Sequence, residues 1–218
     1  MPTPRQGYQL SNGIKVPGVT TVLGRFKESG ALMYWAWEQG KEGLDFRRTK
    51  QDAADAGTLA HAMVEAHLTG IDPLLKLDGA TPEIADKAKQ GLANYLTFEK
   101  QTNLKVVSFE KPLISEKYHY GGTPDAIVEI DGHKAIADWK TSSAIYVDAL
   151  LQMAAYGTLY AENYPEDMLT GGFHLCRFSK DNADFVHYHF QDLSDAWEMF
   201  KHLLAAYELD KVLKKMVK

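Results

Sequence analysis

Two aspartates and a lysine are placed to do chemistry. Asp125 follows Gly121-Gly122-Thr123-Pro124, while Asp138 and Lys140 flank Trp139 after the apolar pair Ile136-Ala137. Between them stands Asp131-Gly132, a strong hairpin signal because glycine accepts the positive φ that a two-residue turn requires. Antiparallel pairing about that turn brings Asp125 beside Asp138, and Lys140, two residues on, shares a strand face with Asp138. Two carboxylates and an ammonium at one sheet end could hold a divalent cation and a reacting group. Plainer readings stand beside this one. Asp125 could cap a turn, and Asp138 with Lys140 could form a strand-end ion pair. Pro124 has no amide to donate, so this strand end is not an ordinary central ladder position. Charges after an apolar run want partners or a metal.

Other side chains have two readings each. Gln152 and Tyr156 are one helical turn apart and share a face; Tyr156 could be core, but an amide near a core face needs hydrogen-bond partners. His61 and Glu65 are related in the same way, after Gly57-Thr58. A lone helical histidine suits a structural role as well as a ligand role. His61 and His67 lie on opposed helix faces, and His61-Ala62-Met63-Val64-Glu65-Ala66-His67 is neither His-Glu-x-x-His nor its inverse, so a zinc protease is not supported. Glu110 ends a strand candidate, as a further site acid or as surface. Cys176, the only cysteine, sits in the apolar run 172–178 and reads as a buried structural thiol. One cysteine leaves no intrachain disulfide and no cysteine-rich metal site.

The elements that must position these residues follow from period and punctuation. Asn12-Gly13 centres a small N-terminal hairpin. Val19 to Leu23 begins a short helix started by Thr20 and Thr21. Residues 30–42 are helical, and Trp35 and Trp37 could stack on bases, although core packing between a helical lobe and the sheet is the preferred reading. Helices are expected over 51–69, with Asp52 or Asp55 in the first turn, and over 81–101, started by Thr81-Pro82-Glu83. A strand over 105–110 precedes the hairpin. Thr141-Ser142-Ser143 leads into a helix over 145–163, then strands at 171–178 and 184–190, and a final helix over 193–212. The expected fold is α/β (α+β), a single domain: an N-terminal hairpin and helical extension over 1–50, then a core and C-terminal helix over 51–218.

The 218 residues are 45% hydrophobic and 24% charged, ordinary values for a soluble globular chain. No apolar run approaches a membrane span, and the N-terminus has no apolar signal core, so the expectation is a cytoplasmic protein without membrane contact. The net charge of −5 does not suggest a basic nucleic-acid footprint. Local basic clusters do occur, at Arg47-Arg48-Thr49-Lys50 and at Lys211, Lys214, Lys215 and Lys218, and each reads first as solvated surface.

Taken in order, Gly57-Thr58-x-x-His61-x-x-x-Glu65, Glu110, Gly122-Thr123-Pro124-Asp125, Asp138-Trp139-Lys140 and Gln152-x-x-x-Tyr156 resemble the PD-(D/E)XK nuclease superfamily, and within it the RecB-like exonucleases of phage and bacterial recombination. The resemblance covers about residues 55–160. It implies a restriction-endonuclease-like core, a central mixed sheet flanked by helices. It implies His61, Asp125, Asp138 and the backbone carbonyl of Trp139 as ligands of Mg²⁺ or Mn²⁺. Lys140 would position or activate the attacking water, Glu110 would be an auxiliary acid, and Gln152, Tyr156 and Glu65 would support the site or the substrate. An iron–sulfur cluster is not expected, for want of cysteines. The implied activity is a metal-dependent DNA exonuclease acting on single-stranded or duplex ends, beside recombination or replication proteins. A structure-specific or restriction-type endonuclease, or a non-catalytic DNA-binding module, are the alternatives on the same fold.

Overall fold

The computed structural model describes residues 7–27, 30–142 and 144–217. Its centre is the Asp131-Gly132 hairpin. β6 (Ala126–Ile130) and β7 (His133–Lys140) pair antiparallel with Ile130 opposite His133 and Ala126 opposite Ala137. Asp131 and Gly132 both stand at positive φ, 52° and 79°, the conformation of a tight hairpin turn. β3 (Lys105–Phe109) pairs antiparallel with β6. β8 (Phe173–Phe178) runs parallel to β7, and β9 (Phe185–Phe190) returns antiparallel on β8. The result is one mixed five-stranded sheet in the order β3-β6-β7-β8-β9.

A parallel step needs a crossover. Here α5 (Val147–Asn163) supplies it, passing over one sheet face between β7 and β8. Alternation of side chains feeds two cores. Ile127, Ile136 and Leu175 point to the α5 side, where α1 (Val19–Phe26) and α6 (Ser194–Met216) also pack. Ala126, Val128, Ala137, Trp139 and Cys176 point to the other side, against α3 (Phe46–Leu68) and α4 (Pro82–Thr102). Trp139 meets Tyr95 of α4 edge-on at 5.3 Å, which anchors the end of β7. The buried state of Cys176 agrees with its reading as a structural thiol.

Several expectations need correction. α3 begins at Phe46, not at 51, because Asp45 caps it, accepting from the amides of Arg47 and Arg48; Asp52 and Asp55 lie inside the helix. α1 is preceded by Gly18 without a side-chain cap, so Thr20 and Thr21 do not start it. No side-chain cap opens α5 either; Thr141 and Ser142 lie in the connection before it, and Ser143 falls outside the described residues. A small hairpin, β4 (Leu113–Ser115) with β5 (Tyr120–Gly122), stands between β3 and β6 where no strand was expected. The N-terminal hairpin is β1 (Tyr8–Gln9) with β2 (Lys15–Val16), as Asn12-Gly13 suggests. The tryptophans of α2 (Gly30–Lys41) are the largest departure. Trp37 is 58% exposed and Tyr34 63%, so this helix does not pack its aromatics into the core.

Candidate active site

Register delivers the acids to one place. One step beyond the Ala126–Ala137 pair, Asp125 and Asp138 are neighbours at the end of the hairpin. Oδ2 of Asp125 accepts the backbone N–H of Trp139 at 2.8 Å, so the carboxylate ties the two strand ends together. Lys140, on the same face as Asp138, forms an ion pair with its Oδ2. The Lys140 ammonium also donates to Oε1 of Gln152 at 2.9 Å, and the Gln152 amide donates to the hydroxyl of Tyr156 at 2.8 Å. Gln152 and Tyr156 descend from α5 onto the sheet, both buried. α3 crosses the same strand end and places Nδ1 of His61 4.0 Å from Oδ2 of Asp125, beside the backbone of Trp139.

The electrostatics of this cluster are set by burial. Asp125 is 3% exposed and Asp138 fully buried. Among the described residues, Oδ1 of each receives no hydrogen bond, and Oδ2 of Asp138 meets only Lys140. Burial therefore raises both carboxyls; Asp138 is raised to about 6, with Lys140 opposing the rise and Asp125 adding to it. Burial alone would lower Lys140, but Asp138 and Asp125 outweigh it and hold the ammonium charged. His61 is lowered to about 4 by burial and by Lys140, which leaves its imidazole neutral at physiological pH. Two buried acids with unanswered oxygens, a neutral imidazole and a carbonyl form the donor set that a hard divalent cation accepts. Among the described residues no three His, Cys, Asp or Glu groups converge as a closed metal cage. The fit therefore rests on the two aspartates, with the carbonyl and His61 beside them.

A cleft of about 540 Å³ opens beside the cluster. α3 walls it with Gly57, Thr58, His61 and Glu65, and Glu110 and Thr141 face them. Glu110 stands at φ 45°, a left-handed conformation uncommon outside glycine, and its amide donates to the carbonyl of Asp125 at 3.0 Å. Burial raises its carboxyl, as do Glu65 and Asp125 nearby. Glycines set two close approaches. A Cβ on Gly57 would come 2.7 Å from Oγ1 of Thr141, and one on Gly122 would come 2.6 Å from the ring of Tyr156.

The structure thus brings together Asp125, Asp138, Lys140, Gln152, Tyr156, His61 and the Trp139 carbonyl. Glu110 and Glu65 sit at the cleft rather than in the carboxylate–lysine cluster. Two contributors carried no sequence signal. Tyr8 donates to or accepts from Thr123 at 2.9 Å, two residues before Asp125, across a separation of 115 residues. Thr141 lines the cleft, but read in sequence only as a helix entry.

A family model described as the PD-(D/E)XK nuclease superfamily matches residues 34–215. The chain belongs to that superfamily. Its members are nucleases and generally use divalent metals such as Mg²⁺ or Mn²⁺. The matched span includes Asp125, Asp138 and Lys140. Curated proteins provide no match. Among solved structures, a candidate exonuclease from Eubacterium rectale aligns with 16% identity and a TM-score of 0.46, over 67% of this chain and 64% of that one. A second, SSO0001, aligns with 14% identity and a TM-score of 0.34, over 71% and 74%. The chain therefore spans less than two thirds of the first of these structures. Among its described residues no helix is long and apolar enough to cross a membrane.

Proposed function

We propose that this nuclease is a metal-dependent deoxyribonuclease that degrades DNA from its ends. The observation that carries the reading is the pair of buried carboxylates with unanswered oxygens, set against the Lys140 ammonium beside an open cleft. Asp125 and Asp138, with the Trp139 carbonyl and His61, would hold Mg²⁺ or Mn²⁺, which supplies Lewis acidity toward phosphate and a more acidic bound water. An imidazole in the set moves preference toward Mn²⁺.

The chain's own groups do the rest. Lys140 keeps its proton and offsets the charge that develops on the phosphate oxygens; it also orients the attacking water by hydrogen bonding. Gln152 fixes the lysine side chain, and Tyr156 fixes Gln152, so the ammonium is preorganised before substrate arrives. Asp125 locks the end of β6 to the amide of Trp139 and so keeps both acids at one distance from Lys140. Glu110, raised by burial and its acidic neighbours, stands at the cleft as an auxiliary acid. The setting we assign is the cytoplasm of a bacterial cell, including one infected by phage, with recombination or replication proteins as partners.

End-labelled linear DNA and circular single-stranded DNA test the reading in one assay with Mn²⁺ or Mg²⁺. Progressive loss of the linear substrate with the circle intact is expected. Cleavage of the circle would replace the exonuclease with an endonuclease on the same site.

A further inference from the structure

Three of the eight histidines share a patch of sheet that the site does not use. In register, His174 of β8 stands opposite His189 of β9, and Cys176 stands opposite His187. All four side chains lie on the α4 side, with Trp139 and away from Asp138 and Lys140. The imidazoles pack on one another. The ring of His174 is 4.4 Å from that of His189, at 15°, and 5.0 Å from that of His187, at 19°. Nδ1 of His174 and Nε2 of His187 are 2.8 Å apart, a hydrogen bond in which one ring donates and the other accepts. Nε2 of His189 donates to the carbonyl of Gly171 at 2.9 Å, since a carbonyl only accepts. His174 is buried, and His187 is half-buried with the Phe98 ring edge-on at 5.0 Å.

This packing requires neutral rings. A protonated imidazole has no acceptor nitrogen, so a second proton on the His174–His187 pair breaks its hydrogen bond. The two cations would then repel at short range, with His189 stacked beside them. Burial, then His187 and His189, lower His174 to about 4, and burial and His189 lower His187. The elements packed around the patch do not offset such charge. β7 adds His133 to this face, 3.3 Å from the hydroxyl of Thr170, and β8 adds the buried Cys176 thiol. α4 turns Asn94, Tyr95 and Phe98 to the sheet, and the Tyr95 hydroxyl is given to Glu99. Among the described residues, the carboxylates that meet a histidine are Asp125 at His61 and Glu99 at His67; none meets these three.

β9 is the edge strand that these rings hold, and β8 is its one neighbour in the sheet. The turn between the two strands is tied to both helices on this side. Lys180 donates to the carbonyl of Ala53 in α3 at 2.9 Å, and Asn94 of α4 donates to the carbonyls of Ser179 and Asn182 at 2.8 and 3.0 Å. Ala53 itself lines the cleft. We propose that His174, His187 and His189 form a proton-operated latch: neutral, they hold β9 and its turn against α3 and α4, and protonated, they release them. The latch is closed above the unfolded histidine value near ~6.5, and its contribution is lost as pH falls through about 4. Acid thereby loosens one support of the cleft wall, whatever reaction the cleft performs.

The test is hydrogen exchange of the full chain, read by mass spectrometry on peptides from β9 and from α4 across the range from about pH 7.5 to about 4.5, which brackets the histidine window. Wild type is compared with His187→Gln, whose amide keeps a hydrogen bond to His174 but takes no proton. His189→Phe keeps the stack on His174 without a charge, and it serves where the first variant does not fold. In wild type the opening constant of β9, corrected for intrinsic exchange, should rise about 10- to 100-fold per pH unit below about 6.5, for one to two protons taken up. It should rise ahead of that of α4. In His187→Gln the rise should be about tenfold smaller per pH unit, for the one proton lost. A rise as steep in the folded variant as in wild type would overturn the latch. So would a β9 whose opening ignores pH, or an α4 that opens in step with β9, because acid would then act on the whole fold.

Discussion

At the scale of single residues, the site is defined by charges held where water does not reach. Asp125 and Asp138 are costly in the metal-free fold, and that cost makes predictions. Asp125→Asn can still accept from Trp139 while removing one of two adjacent buried charges. The variant should melt no lower than wild type without metal, yet lose the rise in melting temperature that Mn²⁺ gives the wild type; differential scanning fluorimetry reads both. The pH dependence has a definite sign. Asp138 is raised to about 6 in the fold, so its contribution favours the folded state fully below its unfolded value near ~3.9 and is lost as pH rises through about 6. His61, lowered to about 4, contributes in the opposite sense: its share is present above ~6.5 and lost as pH falls through about 4. Between pH 5 and 8 His61 is already mostly neutral, so proton loss from the carboxyls governs cation binding. The Mn²⁺-induced rise should therefore be small at pH 5 and full at pH 8; a rise independent of pH would contradict this assignment. Gln152→Leu should slow cleavage roughly 10- to 100-fold, as expected for losing a hydrogen bond to a charged group worth about 1.5–3 kcal/mol.

At the scale of elements, the site depends on one hairpin and three helices meeting at its end. The hairpin was legible because Asp131-Gly132 states its turn and the apolar runs on either side state its strands. The pairing of Asp125 with Asp138 followed from that turn alone. Gln152 and Tyr156 were legible from helical spacing. The start of α3 was missed because Asp45 caps a segment, Arg47 to Lys50, whose polarity hides its helical period. The β4–β5 hairpin was missed because its three-residue strands are too short to show a period. The exposure of Trp37 was misread because a tryptophan at helical spacing has the same pattern whether it meets a core or a ligand. Contacts such as Tyr8 with Thr123 belong to tertiary structure, and no local pattern announces them. Gly122 supplies a test at this scale. Its substitution by Ala presses a methyl on Tyr156 and on Leu159, so Gly122→Ala should cost about 1–3 kcal/mol in urea unfolding. It should also slow cleavage, because Tyr156 holds Gln152 and Gln152 holds Lys140.

At the scale of the whole molecule, the sheet serves as a stage with one working end. The α5 crossover makes β7 parallel to β8, which sets Lys140 and Gln152 on the same side and leaves α3 to close the other. The net charge of −5 is spread over the surface, since Asp125 and Asp138 are the only buried acids among the described residues. The proposed work of this end of the sheet is metal-dependent phosphodiester hydrolysis. Its most direct test is digestion of end-labelled linear DNA by the purified wild type, Asp138→Ala and Lys140→Ala proteins with Mn²⁺, with folding checked by circular dichroism. Cleavage by wild type that falls at least about 10²- to 10³-fold in each folded variant is predicted. Full activity in either variant would contradict it.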